Sequence, residues 1–170
     1  RLRHGADQPA APGPDVTATA VPGADASEGR RPAATYVVPM AFSASPFPLQ
    51  EHLGMAIESP SAGSGRAVLD IGPDLLNPNG VVHGAVLFAM VDTAMGAATM
   101  SVLEDGQACA SIEVHLRFLR AAAAGSLTAD VSVIRAGRRI VQLEGRVTGA
   151  DDELIATASG SFAVITGPAT

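Results

Sequence analysis

Within the stretch NPNGVVHGAVLFAMVDTAMG, residues 77–96, a single carboxylate, Asp92, stands in a run that is almost continuously apolar from Gly84 to Leu103. Apolar surroundings disfavour the charged form of a carboxyl, so its pKa rises and it becomes a better base than a solvated one. The same stretch carries His83-Gly84 where a helix would begin. The leading N–H groups of a helix have no intrahelical partner, its dipole is positive at that end, and glycine lets another group approach the backbone closely. A carboxylate that activates water or attacks directly, together with donors for a developing oxyanion, is the equipment for hydrolysis at a carbonyl. The plainer alternative is a buried structural acid, bonded to a neighbouring backbone group or to Ser111.

Spacing constrains how those groups could cooperate. Eight residues of helix separate Gly84 from Asp92, which is about 12 Å at the helical rise. Groups acting on one carbonyl carbon must lie within roughly 3 to 3.5 Å of the reacting atoms. One helix does not bring them together easily. Two antiparallel helices from two subunits do, pairing Gly84 of one with Asp92 of the other, and a two-fold axis then gives two equivalent sites.

Other reactive types offer less. Cys109 has no partner motif and reads as a small buried hydrophobe, and a single cysteine excludes an internal disulfide framework. His4, His52, His83 and His115 fall at no metal-ligand spacing with each other or with Cys109, so no metal site is expected. Gly63 and Gly65 begin a dinucleotide-type glycine pattern, but Val68 occupies its third position and no helix follows. A net charge of −6 argues against nucleic acid or an anionic membrane as partner.

The elements that must position these residues can be read from the pattern. Residues 1–44 are rich in Ala, Pro and Gly and are expected to be a disordered tail without a secretory signal, which with the lone cysteine points to the cytoplasm. The folded domain is expected over 45–166. SPFPLQEHLG suggests a short helix with Ser45 as a cap and Gly54 as its stop. MAIES and RAVLDIG alternate and read as a hairpin across AGSG, and PDLLNPNG reads as a turn-rich loop. The run 84–103 is long enough to raise the transmembrane question. Its central aspartate, its small and hydroxyl residues, and flanks without basic anchors favour a helix buried on all sides instead.

Four strands follow. One face each is set by Ile112, Val114, Leu116 and Phe118; by Leu127, Ala129, Val131 and Val133; by Val141, Leu143 and Val147; and by Leu154, Ala156, Ala158, Phe162 and Val164. Strand, strand, long helix and four strands make an α+β chain, a curved antiparallel sheet of about six strands around a central helix. One sheet covers only part of such a helix, and a second copy of the chain is the simplest cover for the rest.

This order, with N-x-x-G-x-x-H-G opening the helix and an aspartate nine residues after the histidine, resembles the hotdog-fold thioesterases. The likeness is to the acyl-CoA thioesterases of the phenylacetic-acid-degradation (PaaI-like) type, over about residues 46–165. It implies Asp92 as the catalytic acid, with Asn77, Gly80, His83 and Gly84 matching the loop and helix start. Ser111 falls where relatives hold the attacking water. Asn77 could instead simply stabilise its own turn, and His83 could be a structural cap. Ala85 departs from a glycine common in relatives and places a methyl group in the substrate channel or the helix packing.

The resemblance further implies acyl-CoA as substrate, no separate cofactor, and active sites at a dimer interface, often within a tetramer. Arg138 and Arg139, in the turn RAGRR, are candidates for the phosphates of coenzyme A, against the reading of a solvated hairpin tip. The alternatives on the same fold are a hydratase or dehydratase, whose H-x-x-P-G-like signature is absent, and a non-catalytic acyl-CoA binding or sensor protein.

Overall fold

The computed structural model describes residues 46–166. The expected tail and the proposed Ser45 cap lie outside the described residues. A short helix α1, Pro48–Leu53, opens the described part. Proline at the first helical position suits it, and Gly54 stops it at φ +63°, a conformation that favours glycine. Strands β1, Ala56–Glu58, and β2, Ser64–Asp70, pair antiparallel as the expected hairpin. A single 3-10 turn, Pro73–Leu75, precedes the 76–83 loop, and helix α2 spans Gly84–Met100. Strands β3 (Gln107–Phe118), β4 (Ser126–Ala136), β5 (Ile140–Thr148) and β6 (Leu154–Thr166) complete the chain.

All six strands form one antiparallel sheet in the order β1-β2-β4-β5-β6-β3. Helix α2 crosses from β2 to the far edge, where β3 has only β6 as a neighbour, so the helix lies along the inner face of the whole sheet. Register shifts at Ser111/Glu113, Val133/Arg135 and Val147/Thr148 bend three of the strands. Bulges increase local twist, which curls a sheet around a helix. The arrangement is the one that the resemblance implies.

Close approach of helix to sheet depends on small residues in particular strands. A methyl group on Gly65 of β2 would fall 2.1 Å from the Ala94 carbonyl oxygen, so strand and helix backbones touch there. Met95, fully buried, sits in a niche framed by Gly145 and Gly160, on which a Cβ would come within 3.8 Å of its methyl carbon and 2.8 Å of its sulfur respectively. Val86, Leu87, Met90, Val91 and Ala94 fill the space against Leu127, Ala129, Leu143 and Val147. At the C-terminal end, Ser101 accepts from the Gly63 N–H at 2.8 Å and donates to the Ala98 carbonyl at 2.7 Å, tying the β1–β2 turn to the helix.

The alternation predicts most of the inner face, but three residues depart from it, and one of them, Phe118 at the end of β3, is 56% exposed. Ile112 is the unpaired residue of the β3 bulge and is 55% exposed, because the extra residue breaks the period of two. Leu154, at the start of β6, is 39% exposed at the sheet's end, beyond the reach of the helix. A larger departure concerns α2. Ala85, Phe88, Ala89, Asp92, Thr93, Gly96 and Met100 escape full burial and form one continuous stripe. The helix is therefore sealed by its own chain on the sheet side only.

Candidate active site

The loop before α2 is a small closed structure. Asn77 accepts the Asn79 N–H on its side-chain oxygen at 2.8 Å and the Gly80 N–H on its carbonyl at 2.9 Å, while its own N–H donates to Val81 at 2.8 Å. Gly80 turns at φ +75°, where a side chain would be strained. Asn77 thus shapes its turn with its oxygen and keeps its amide N–H2 available as a donor.

From that turn the chain enters α2 through His83, the N-cap residue, in extended conformation. Its ring Nδ1 accepts the Ala85 N–H at 3.0 Å, and its carbonyl accepts the Val86 N–H at 2.9 Å. In a neutral ring this leaves Nε2 protonated and pointing its donor elsewhere. The Gly84 N–H has no partner among the described residues. One donor is therefore left free at the positive end of a seventeen-residue helix.

Phe118, at the end of β3, lies over this point. A Cβ on Gly84 would stand 3.0 Å from the edge of its ring, so glycine here makes room for an aromatic neighbour as well as baring the backbone. Asn77, Gly84, Leu87, Phe118, Leu119 and Arg120 border a cleft of about 420 Å³. Arg120 is held by an ion pair with Glu153. Ala85 carries its methyl group exposed on the open stripe.

Asp92 lies two turns further along and does not border that cleft. It is half-buried, and burial raises its pKa above the ordinary 3.8, with the nearby Ser111 hydroxyl pulling the other way. The two side chains face one another without a well-formed hydrogen bond among the described residues. Ser111 stands on the inner face of β3 opposite Phe162, just before the bulge. Cys109, two residues earlier, points its thiol at the Gly96 carbonyl at 3.9 Å. Burial, and then the Asp92 charge, push that thiol up to about 11, so it stays protonated and behaves as a weak donor and packing group.

The structure thus brings Asn77, His83 and Gly84 together at one end of the helix, and Asp92 and Ser111 at its middle. It does not bring the two groups together within one chain. Arg138 and Arg139 occupy the β4–β5 turn, exposed, and do not border the cleft at the start of α2. Phe118 and Cys109 join these groups without having been singled out as site residues. Alternation marks Phe118 only as one more core residue, and nothing local places Cys109 beside Asp92. Among the described residues no cluster of His, Cys, Asp and Glu could hold a metal ion, and no helix is long and apolar enough to cross a membrane.

The family described as the thioesterase superfamily matches residues 79–156, from the 76–83 loop to β6. A Halobacterium salinarum protein named as a candidate esterase is 33% identical over 127 residues, covering 68% of this chain and 83% of the relative. A 1,4-dihydroxy-2-naphthoyl-CoA hydrolase of Listeria monocytogenes is 24% identical over 116 residues, covering 68% of this chain and 94% of that protein. Among solved structures, the E. coli PaaI protein from the phenylacetic acid degradation operon superposes with a TM-score of 0.65 at 26% identity. That superposition covers 72% of this chain and 87% of the other.

Proposed function

The chain belongs to the thioesterase superfamily, and on that premise we propose that it hydrolyses acyl-CoA thioesters at sites shared between two subunits. The observation that carries the reading is the division of labour along α2. A free Gly84 N–H stands at its start, and a half-buried carboxylate with a raised pKa stands about 12 Å further on. Neither group completes a site alone. A second, antiparallel copy of the helix lying on the open stripe would set Asp92 of one chain against Gly84 of the other. Strand β3 supports the same arrangement, since its twelve residues present a free sheet edge beside that stripe.

In this site the thioester carbonyl oxygen accepts the Gly84 N–H, with the Asn77 amide and the His83 ring beside it and the leaving sulfur. Asp92 of the other subunit takes a proton from water held near Ser111. The water oxygen bonds to the carbonyl carbon, the carbon–sulfur bond breaks, and the thiolate leaves as coenzyme A after taking up a proton. The same geometry admits direct attack by the Asp92 carboxylate, giving an anhydride that water then opens. Single turnover in ¹⁸O-water tests the second route, because label in Asp92 arises only from an anhydride opened at the Asp92 carbonyl.

The test is release of free thiol from a panel of acyl-CoAs by wild type and Asp92→Asn. Wild type should turn over at least one member of the panel, and the variant should lose about two or more orders of magnitude in kcat. Equal rates in two folded, self-associated proteins would sink the assignment of Asp92 and favour a binding role. The active form is expected to be a dimer or a tetramer built from dimers.

A further inference from the structure

Helix α2 covers one face of the sheet, and the period of two along each strand sends every second residue to the other face. On that outer face the strand pairing aligns side chains in rows. One row runs Arg66, Asp130, Arg146, Thr157 and Arg117, from β2 across to β3. The next runs Ser64, Ser132, Glu144, Ser159 and His115. Arg146 and Arg117 therefore flank Thr157, two strand spacings or about 10 Å apart at the backbone.

Charge along the first row is uneven. Asp130 stands opposite both Arg66 and Arg146, but its ion pair is with Arg66, at 2.7 Å. Neither Arg117 nor Arg146 is ion-paired among the described residues, and both are exposed. Other acids of this face stand in neighbouring rows. Glu144 lies beside Ser159. Glu113, one row further, accepts the Ser161 hydroxyl at 3.1 Å and meets His115 Nε2 at 3.2 Å. Two long cations thus share a short neighbour with no acid between them. They repel one another, and an anion over Thr157 would replace that repulsion with two attractions.

The space for one is present. Thr157 and Ala158 border two adjoining clefts of about 440 Å³ each. One reaches His115, Arg117 and Ser159, and the other reaches Ser132, Glu144 and Arg146. The depression follows β6, whose outward Thr157 and Ser159 are short and place hydroxyl donors on its floor. Glu144 and Glu113 occupy the rows beyond, so the gap between the arginines suits one compact anion and disfavours a polyphosphate.

We propose that the outer face of the sheet carries a binding site for a single phosphate group, either the free ion or a small phosphomonoester. Arg117 and Arg146 hold it, with the Thr157 and Ser159 hydroxyls beneath. Two guanidinium forks match the charge and the oxygens of a phosphate dianion. The site lies across the sheet from Gly84 and Asp92, so it is separate from the proposed thioester site and does not depend on that reading. Its occupant clips β5, β6 and β3 together. Strand β3 is an edge whose only neighbour in the sheet is β6, so the clip steadies the strand that carries Ser111.

Calorimetric titration of the assembled protein with inorganic phosphate, and separately with glycerol 3-phosphate, measures the site. Wild type should bind saturably, and more weakly as sodium chloride rises. Arg117→Gln/Arg146→Gln should bind at least about tenfold more weakly, with Arg117→Lys/Arg146→Lys between, since lysine keeps the charge without the planar fork. Both arginines are exposed, so the variants should fold, which an unchanged Tm in phosphate-free buffer checks. Weaker binding of glycerol 3-phosphate than of inorganic phosphate assigns the site to the free ion. Equal or tighter binding assigns it to a phosphomonoester. No binding of either by wild type, or equal binding by the Gln variant, overturns the proposal.

Hydrogen exchange locates the bound group. Phosphate should slow amide exchange in β3 and β6 of wild type and leave the Gln variant unaffected. Protection confined to other segments overturns the proposal. A Gln variant that changes oligomeric state, while wild type binds no phosphate, would mean that these arginines face another copy of the chain, and overturns it too.

Discussion

Along α2, Val86, Met90, Ala94 and Ala98 are sealed against the sheet, whereas Ala85, Phe88, Asp92 and Gly96 form a stripe that the chain leaves partly open. Both stripes are made largely of apolar or small residues, so composition does not separate them. On the sealed side each residue has a fixed neighbour, down to backbone contact at Gly65 and a glycine-framed niche for Met95. On the open side Phe88 is 43% exposed, and the half-buried Asp92 carboxylate lies near the Ser111 hydroxyl and the Cys109 thiol. Apolar surface of that kind, joined to a free strand edge, suits the second subunit that the proposed site requires. The difference teaches that one side of the helix serves packing within the chain, while the proposed chemistry falls on the other.

The severest test of the sealed side is Gly65→Ala. Its new methyl would meet backbone atoms of Ala94 and Ala98 at 2.1 and 2.9 Å, which no rotamer change relieves. The expected loss is at or above the upper end of the ~1–3 kcal/mol typical of overpacking, read from urea unfolding. A loss below about 0.5 kcal/mol would mean that helix and sheet are not in contact there.

The open side is tested by Gly84→Pro. Proline is well tolerated at the first helical position, and His83 already has the extended conformation that precedes proline. The substitution therefore removes the free N–H and leaves the helix, with Phe118 swinging aside. A fall in kcat of about 10²- to 10³-fold is expected, as for loss of one oxyanion donor. Mixing this variant with Asp92→Asn should then restore part of the activity, because a hybrid dimer holds one site with both groups intact. No recovery in verified hybrids would place donor and base within the same chain and break the two-subunit reading.

The smallest effect concerns pH. The Asp92 pKa is raised above 3.8, chiefly by burial. As the active base it must be ionised, so kcat/KM should fall on the acid side at a higher pH than an ordinary carboxylate would give. Stability carries the opposite sign. With a folded pKa above the unfolded one, the unfolded chain releases this proton first, and folding loses stability as pH rises from 3.8 through the raised value. Asp92→Asn should remove that slope from the pH dependence of Tm. An unchanged slope would mean that Asp92 is solvated and that the open stripe is not a buried interface.

The fold was legible because its signals are local. Alternation gave β3 to β6, the glycine and serine turn gave the first hairpin, and the apolar run from Gly84 gave a helix that ends at Met100, before the run itself ends at Leu103. The misplaced inner-face residues, Ile112, Phe118 and Leu154, lie where periodicity stops carrying information, at a bulge and at strand ends. The candidate site was legible in part. Asp92 and Gly84 stand out by residue type, and their separation follows from helical rise alone. Phe118 over Gly84 and Cys109 beside Asp92 did not stand out, since each contact joins residues distant in sequence and neither breaks a local pattern.

The sequence by itself determined the order of elements, the position of one carboxylate in an apolar helix, and a spacing too long for two groups on that helix to act on one atom. These are properties of periodicity and covalent distance, which survive without knowledge of neighbours. Only the tertiary structure decided which stripe of α2 is sealed, and that His83 takes the Ala85 N–H while the Gly84 N–H has no partner among the described residues. Those outcomes depend on strand order, on bulges and on backbone contacts at glycine. They are set when the sheet curls around the helix and not before.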